Sequence, residues 1–196
     1  MADIKEGLDY VRQRRIIIVL VLMGLLSAVL AMPFRFLMPV FVVDIYNLGP
    51  DSMGLLLATM GGSSLVGALF VASLSKWHRG MLLILATILS GVALILVASI
   101  PIYFAAILIM IPLGIGDAGS RTLNQTLIME EAEDQYRGRV MSVFMLNRGL
   151  MPLGVLPTAL LIDQLGAQLV IGILGVLLIA FTAIILVTQK QLRQMS

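Results

Sequence analysis

Six long apolar runs, separated by short polar breaks, constrain this chain more than anything else in it. They cover residues 16–43, 53–74, 81–98, 102–128, 140–162 and 169–187. A helix needs about 20 mostly apolar residues to cross the hydrocarbon core of a bilayer. Backbone N–H and C=O groups must find partners within the chain in lipid, so runs of this length read as transmembrane helices. A membrane β-barrel would instead alternate in segments of about 10 residues, and no such pattern is present. The breaks carry turn chemistry: Asp44-Ile-Tyr-Asn-Leu-Gly-Pro-Asp51, Ser75-Lys-Trp-His-Arg-Gly80, Ser99-Ile-Pro101, residues 130–139 and Asp163-Gln-Leu-Gly-Ala167. None is long enough for a soluble domain. Composition agrees, with 60% apolar and 12% charged residues, about half the charged share of an average soluble domain.

Orientation follows from lysine and arginine, which stay on the cytoplasmic side. Ten of the 13 basic residues fall on one side of a six-helix topology. They are Lys5, Arg12, Arg14 and Arg15, then Lys76 and Arg79, then Arg137 and Arg139, then Lys190 and Arg193. The opposite loops hold Asp44, Asp51 and Asp163 and no basic residue. The expectation is an all-α membrane protein with both termini in the cytoplasm. Residues 1–15 form a cytoplasmic segment before the first span, 16–189 the membrane domain and 190–196 a cytoplasmic tail. Within 3–15, Ile4, Leu8 and Val11 recur at helical spacing, with acids early and arginines late. That pattern reads as an amphipathic helix on the membrane face, the alternative being a frayed polar tail.

The second span carries small residues four apart at Gly54, Ala58 and Gly62, and again at Ser64, Ala68 and Ala72. Such stripes let helix backbones approach closely. Pro33 and Pro39 in the first span, and Pro152 and Pro157 in the fifth, bend their helices.

Ionisable residues inside spans are costly and face a partner or a cavity. Four are present: Arg35, Asp117, Arg121 and Arg148. Arg35 lies about 28 Å along the first span, near its far end, where it can snorkel to the surface. Asp117 and Arg121 lie roughly 16 and 10 Å from the cytoplasmic end of the fourth span, and Arg148 about 12 Å up the fifth. The last three share one slab of the membrane. Asp117 and Arg121 stand four apart on one helix face. Asn124, Gln125 and Asn147 add polar groups to the same two helices. Two readings of this cluster stay open. It is either a salt bridge that locks two helices, or a proton-sensitive or anion-attracting site lining a pathway.

Enzyme signatures are absent. The single histidine, His78, sits in a basic loop, and no phosphate-binding glycine loop or metal-ligand cluster occurs. With no cysteine, thiolate chemistry is excluded. No cofactor is expected, and the basic residues form no patch of the kind that binds nucleic acid.

Several stretches together resemble the C-terminal half of a major facilitator superfamily transporter, in the branch of bacterial multidrug and siderophore (enterobactin) exporters. Ile4-Lys-Glu-Gly-Leu-Asp-Tyr-Val11 is similar to the end of the central linker. Met38-Pro-Val-Phe41, Gly54-Leu-Leu-Leu-Ala-Thr-Met-Gly61 and Gly67-Ala-Leu69 are similar to the seventh and eighth helices. Tyr136-Arg-Gly-Arg-Val-Met-Ser142 resembles the loop before the eleventh helix, and Pro152-Leu-Gly154 its middle. The family's loop signature is echoed in Ala72-Ser-Leu-Ser-Lys-Trp-His-Arg-Gly80, which keeps the basic residues and lacks the acid.

The resemblance implies a 3+3 inverted repeat and proton-coupled export of small molecules by alternating access, in a multi-pass protein of the bacterial inner membrane. It also implies a second six-helix half, either a missing N-terminal half or another copy of the chain. The start within linker-like sequence points to a fragment. Arg35, Asp117, Arg121, Asn124, Gln125, Asn147 and Arg148 become candidates for the substrate or proton pathway. Lys76, Arg79, Arg137 and Arg139 become candidates for a cytoplasmic gate. The alternative from another class is a non-transporting membrane scaffold with structural buried charges.

Overall fold

The computed structural model describes residues 10–74 and 78–195, apart from the side chains of 147, 148, 193 and 194. Residues 1–9, with most of the expected amphipathic helix, lie outside the described residues, as does Lys76. Every regular element among the described residues is helical.

The first apolar run begins as α1 (Arg15–Leu30) and continues, after a turn at Ala31, as α2 (Met32–Val40) and a π-helical turn (Phe41–Ile45). Prolines cause both irregularities. Pro33 has no N–H to give Val29, and Pro39 has none to give Arg35, so the ladder loosens at each place. Beyond Pro39 the bonding widens by one residue, with Tyr46 N–H donating to Phe41 O at 2.9 Å. The whole run of 31 residues (Arg15–Ile45) reaches about 46 Å. That exceeds a hydrocarbon core of about 30 Å.

The next three runs form α3 (Ser52–Ser73), α4 (Arg79–Ser99) and α5 (Tyr103–Glu131). The last forms α8 (Ala167–Thr188). Together with Arg15–Ile45 these are the five helices long and apolar enough to cross a membrane among the described residues. The expected fifth span, 140–162, is different. It divides into α6 (Arg137–Gly149) and α7 (Pro152–Leu165), with a turn at Leu150 and Met151. The single helix expected there is corrected to two, of 13 and 14 residues, each only about 20 Å long. Pro152 cannot bond to the carbonyl of Arg148, and Gly149 beside it favours the break. Gly154, just beyond, lets α7 lie directly on α1. A Cβ at Gly154 would sit 2.3 Å from Val29 O, the carbonyl that Pro33 leaves free.

The most extensive pairings are α3 with α5, α4 with α5, and α4 with α8. Only Leu56, Met60, Ser63 and Gly67 are buried on α3, a single stripe at helical spacing. Ser63 and Ser64 donate across to Met110 O and Gly114 O, each at 3.2 Å. The expected close-packing stripe Gly54–Ala58–Gly62 is on the other side. All three residues are exposed, and nothing stands within 4 Å of a Cβ built at Gly54 or Gly62.

Two apolar clusters fill the bundle. One, at the end bearing the termini, joins Ile17, Leu20, Met23, Leu127, Val140 and Leu192. The other, at the opposite end, joins Phe34, Met38, Met60, Leu94, Met110 and Ile171. Leu192 belongs to the short helix α9 (Lys190–Gln194), so the segment read as a tail is docked through it. The outer surface is strongly apolar: Phe104 is 76% exposed, and Leu108 and Leu160 are 67% exposed. In water such a surface would drive aggregation, and in lipid it is the required solvent.

Tyr46 lies just past the first span, its ring between Phe41 and Tyr103. Its hydroxyl is buried and has no hydrogen-bond partner among the described residues. Burial pushes its pKa from 10 up to about 12. Between pH ~10 and ~12 the unfolded phenol has lost its proton while the folded one retains it. Stability therefore falls as pH rises through that window. Tyr46→Phe should raise stability by about 1 kcal/mol at neutral pH by removing the unpaired hydroxyl. It should also remove this part of the alkaline fall. Thermal unfolding in detergent at neutral and alkaline pH measures both, and a lower melting temperature at neutral pH would count against the account.

An electropositive cavity between the first, fourth and fifth runs

Asp117 and Arg121 are one turn apart near the middle of α5, and the spacing brings their side chains together as a salt bridge. Arg35 of α2 joins them, with its guanidinium 3.8 Å from the same Asp117 oxygen. The acid is the most buried of the three, at 15% side-chain exposure against 35% for Arg35 and 40% for Arg121. One carboxylate thus stands between two cations. This corrects the surface-snorkelling expectation for Arg35. The first run extends to Ile45, which leaves Arg35 about 15 Å inside that end. Asp117 lies about 21 Å from Tyr103 at the same end of α5, and a long arginine side chain bridges the difference.

These residues line a cavity of about 450 Å³ between α1–α2, α5 and the α6–α7 junction. Its polar wall is Arg35, Asp117, Ser120, Arg121, Asn124 and Gln125, while Met32, Phe36, Phe144 and Met151 supply an apolar wall. On α1, Gly24, Ser27 and Ala28 border it, and their small side chains leave the space open. A second cavity of about 370 Å³ lies towards α3, lined by Gly61, Ser64, Leu65, Ala118 and Thr122 together with the same Arg35 and Arg121. The two arginines therefore face both cavities.

Asn124 is only 3% exposed, and its side-chain oxygen has no hydrogen-bond partner among the described residues. Ser120 donates to the carbonyl of Asp117 at 3.2 Å. The side chains of Asn147 and Arg148 lie outside the described residues, although their backbone ends α6 close to Met151. Sequence reading identified Arg35, Asp117, Arg121, Asn124 and Gln125. It missed Ser120, the small residues Gly24, Ser27 and Ala28, and the apolar Met32, Phe36, Phe144 and Met151. Nothing in their type separates a cavity-lining apolar residue from a lipid-facing one.

Of the residues expected at a cytoplasmic gate, Arg79, Arg137 and Arg139 are described, and each makes a local contact at the end bearing the termini. Arg79 pairs with Glu130, and Arg137 pairs with Asp134 at 2.7 Å while its Nε–H donates to Met129 O at 2.9 Å. Arg139 sits over the Tyr136 ring. Arg14 pairs with Glu133, whose backbone N–H donates to the Tyr10 hydroxyl at 3.1 Å. Tyr10 stacks on Tyr136 at 4.2 Å. These contacts fasten the segment before the first span to the loop between α5 and α6. None of Arg79, Arg137 and Arg139 lines either cavity.

The comparisons agree with this architecture. Macrolide efflux protein A of Streptococcus pyogenes is 25% identical over 170 residues, covering 85% of this chain and 42% of that protein. The Staphyloferrin A transporter of Staphylococcus aureus is 26% identical over 161 residues, covering 80% of this chain and 40% of that protein. Macrolide efflux protein A of Enterococcus faecalis is 25% identical over 144 residues, covering 72% of this chain and 45% of that protein. The chain thus spans less than half the length of these relatives. No solved structure matches. Residues 2–154 match the Major Facilitator Superfamily. With that match over most of its length, and an all-helical body clothed in apolar residues, the chain belongs to the Major Facilitator Superfamily.

Proposed function

We propose that this chain is one six-helix half of a secondary active exporter of the bacterial inner membrane, with both termini in the cytoplasm. In this reading it works with a second half, rocking against it to expose a shared cavity alternately to either side. The observation that carries it is the trio Arg35, Asp117 and Arg121, which meet from two helices long and apolar enough to cross a membrane and line a cavity of about 450 Å³. Charges in that position are expensive and mark a pathway or a relay. Asp117 is the one acid in the cavity wall among the described residues, and it is the group whose protonation would couple transport to a proton gradient. Taking up a proton there would free two arginines from their shared counter-charge, which changes the relative energy of two conformations. The named functions of the relatives, macrolide efflux and staphyloferrin A transport, support small molecules as cargo. Their greater length supports a second half.

The test is flux in everted membrane vesicles from cells that carry the protein in its native setting. An imposed gradient, acid inside, should drive uptake of an amphipathic fluorescent cargo, and a protonophore should abolish it. Vesicles from a strain lacking the chain should show none of this component. Identical uptake in both strains would remove the transporter reading and leave a membrane scaffold.

A further inference from the structure

We propose that Arg35 and Arg121 form a clamp for an anionic group on the cargo, so that the transported class is an amphipathic anion. Its apolar body lies against Met32, Phe36, Phe144 and Met151. This deepens the exporter reading and rests on it.

Two guanidinium groups share one carboxylate, Asp117. The three together carry one net positive charge. An intramembrane charge without a counter-charge is unstable, and an anion entering the cavity supplies the missing one.

Asp117 is closely engaged by Arg121. Its separation from Arg35, 3.8 Å, is too long for a hydrogen bond. Arg35 makes no side-chain hydrogen bond among the described residues, so its donors remain unspent. A guanidinium is a planar fork matched to a carboxylate, a sulfonate or a phosphate. Both arginines line the cavity of about 450 Å³ and also the one towards α3. An anion lodged between them is therefore reachable from either. The apolar wall opposite explains why the anion must carry a hydrophobic body. A small hydrophilic ion would leave Phe36 and Met151 facing it without gain.

The anionic group could come from a soluble cargo or from a lipid headgroup, and the experiment separates them. The full chain is placed in nanodiscs of phosphatidylcholine. Equilibrium dialysis then measures the binding of pyrenebutyrate, its uncharged amide and pyrenebutylammonium, with empty nanodiscs subtracted. These three probes share one apolar body and differ in charge. The anion should bind about tenfold more tightly than the amide, and the cation least tightly. The anion-to-amide ratio should fall to about threefold or less in Arg35→Gln and in Arg121→Gln. Arg121→Lys, which keeps the charge, should retain more of it, which distinguishes a lost clamp from a misfolded variant.

Equal binding of all three probes overturns the clamp and leaves the exporter reading intact. Binding of none of them overturns the clamp and removes the cavity as a cargo site, whatever flux is measured. Repeating the titration with phosphatidylglycerol present decides the source. Unchanged affinity for pyrenebutyrate supports soluble cargo. A fall of about tenfold gives the clamp to a lipid headgroup and overturns its assignment to cargo.

Discussion

Gly114→Val should abolish accumulation of the folded chain. α3 docks on α5 through one narrow stripe, Leu56, Met60, Ser63 and Gly67, and Gly114 lies opposite its centre. A Cβ at Gly114 would fall 2.1 Å from the Ser63 hydroxyl and 2.5 Å from Met60 O. The serine can turn away, at the loss of its bonds to Met60 O and Met110 O. The carbonyl cannot move without the helix, so α3 must retreat as a body. Overpacking at one site typically costs about 1–3 kcal/mol. Here the retreat also separates Gly67 from the backbone of Ile115, which it meets at 2.8 Å from a built Cβ, and breaks the Ser64 bond to Gly114 O. In lipid no hydrophobic force pushes the helices back together. The control is Gly62→Val on α3, where the new side chain meets nothing within 4 Å. Size-exclusion profiles of the two variants measure the contrast. Monodisperse Gly114→Val protein at the wild-type yield would show that the crossing is not close.

The same pair of glycines shows what a sequence can and cannot tell about such a bundle. Spacing of four identifies residues that share a helix face, and this holds for Gly54–Ala58–Gly62 as for Ser63–Gly67. It does not say which face meets a neighbour. Hydropathy along the chain is silent on that too, because lipid and protein core select the same residue types. The inward face of α3 was set by Gly114 and Met110, which are about 50 residues away. Hydropathy was likewise blind to the division of 140–162. It records apolar character, not continuity of the hydrogen-bond ladder, and Pro152 interrupts the second without altering the first.

The candidate site was legible to the extent that it is local. Asp117 and Arg121 meet because an α-helix places residues four apart together, so their pairing needed no tertiary information. Arg35 belongs to another helix, and its depth was judged by counting from the start of its own span. That count assumes helices of equal length and level. The first run, 31 residues long, violates the assumption. The charges that lie in one polar layer therefore looked as if they lay in two.

Asp117→Asn should reduce proton-driven flux by at least about tenfold, while leaving more folded protein than loss of a fully buried acid would. The substitution keeps the shape and removes the one counter-charge of two arginines. Removing one partner of a fully buried pair costs about 3–5 kcal/mol, because a charge is left uncompensated. Arg35 and Arg121 are 35% and 40% exposed, so solvent reduces the cost here to about 1–2 kcal/mol. The double variant Asp117→Asn/Arg121→Gln restores the net charge of the wild-type trio. If charge imbalance alone harms folding, the double variant should recover the yield and melting temperature lost in the single one. It should not recover proton-driven flux, because among the described residues the cavity wall has no other acid to take up and release a proton. Counterflow, which exchanges cargo without a gradient, should survive Asp117→Asn better than proton-driven flux does. This contrast separates a coupling residue from a structural one. Wild-type flux in Asp117→Asn would reduce the acid to a helix lock. Recovery of proton-driven flux in the double variant would assign its role to charge balance rather than to proton transfer.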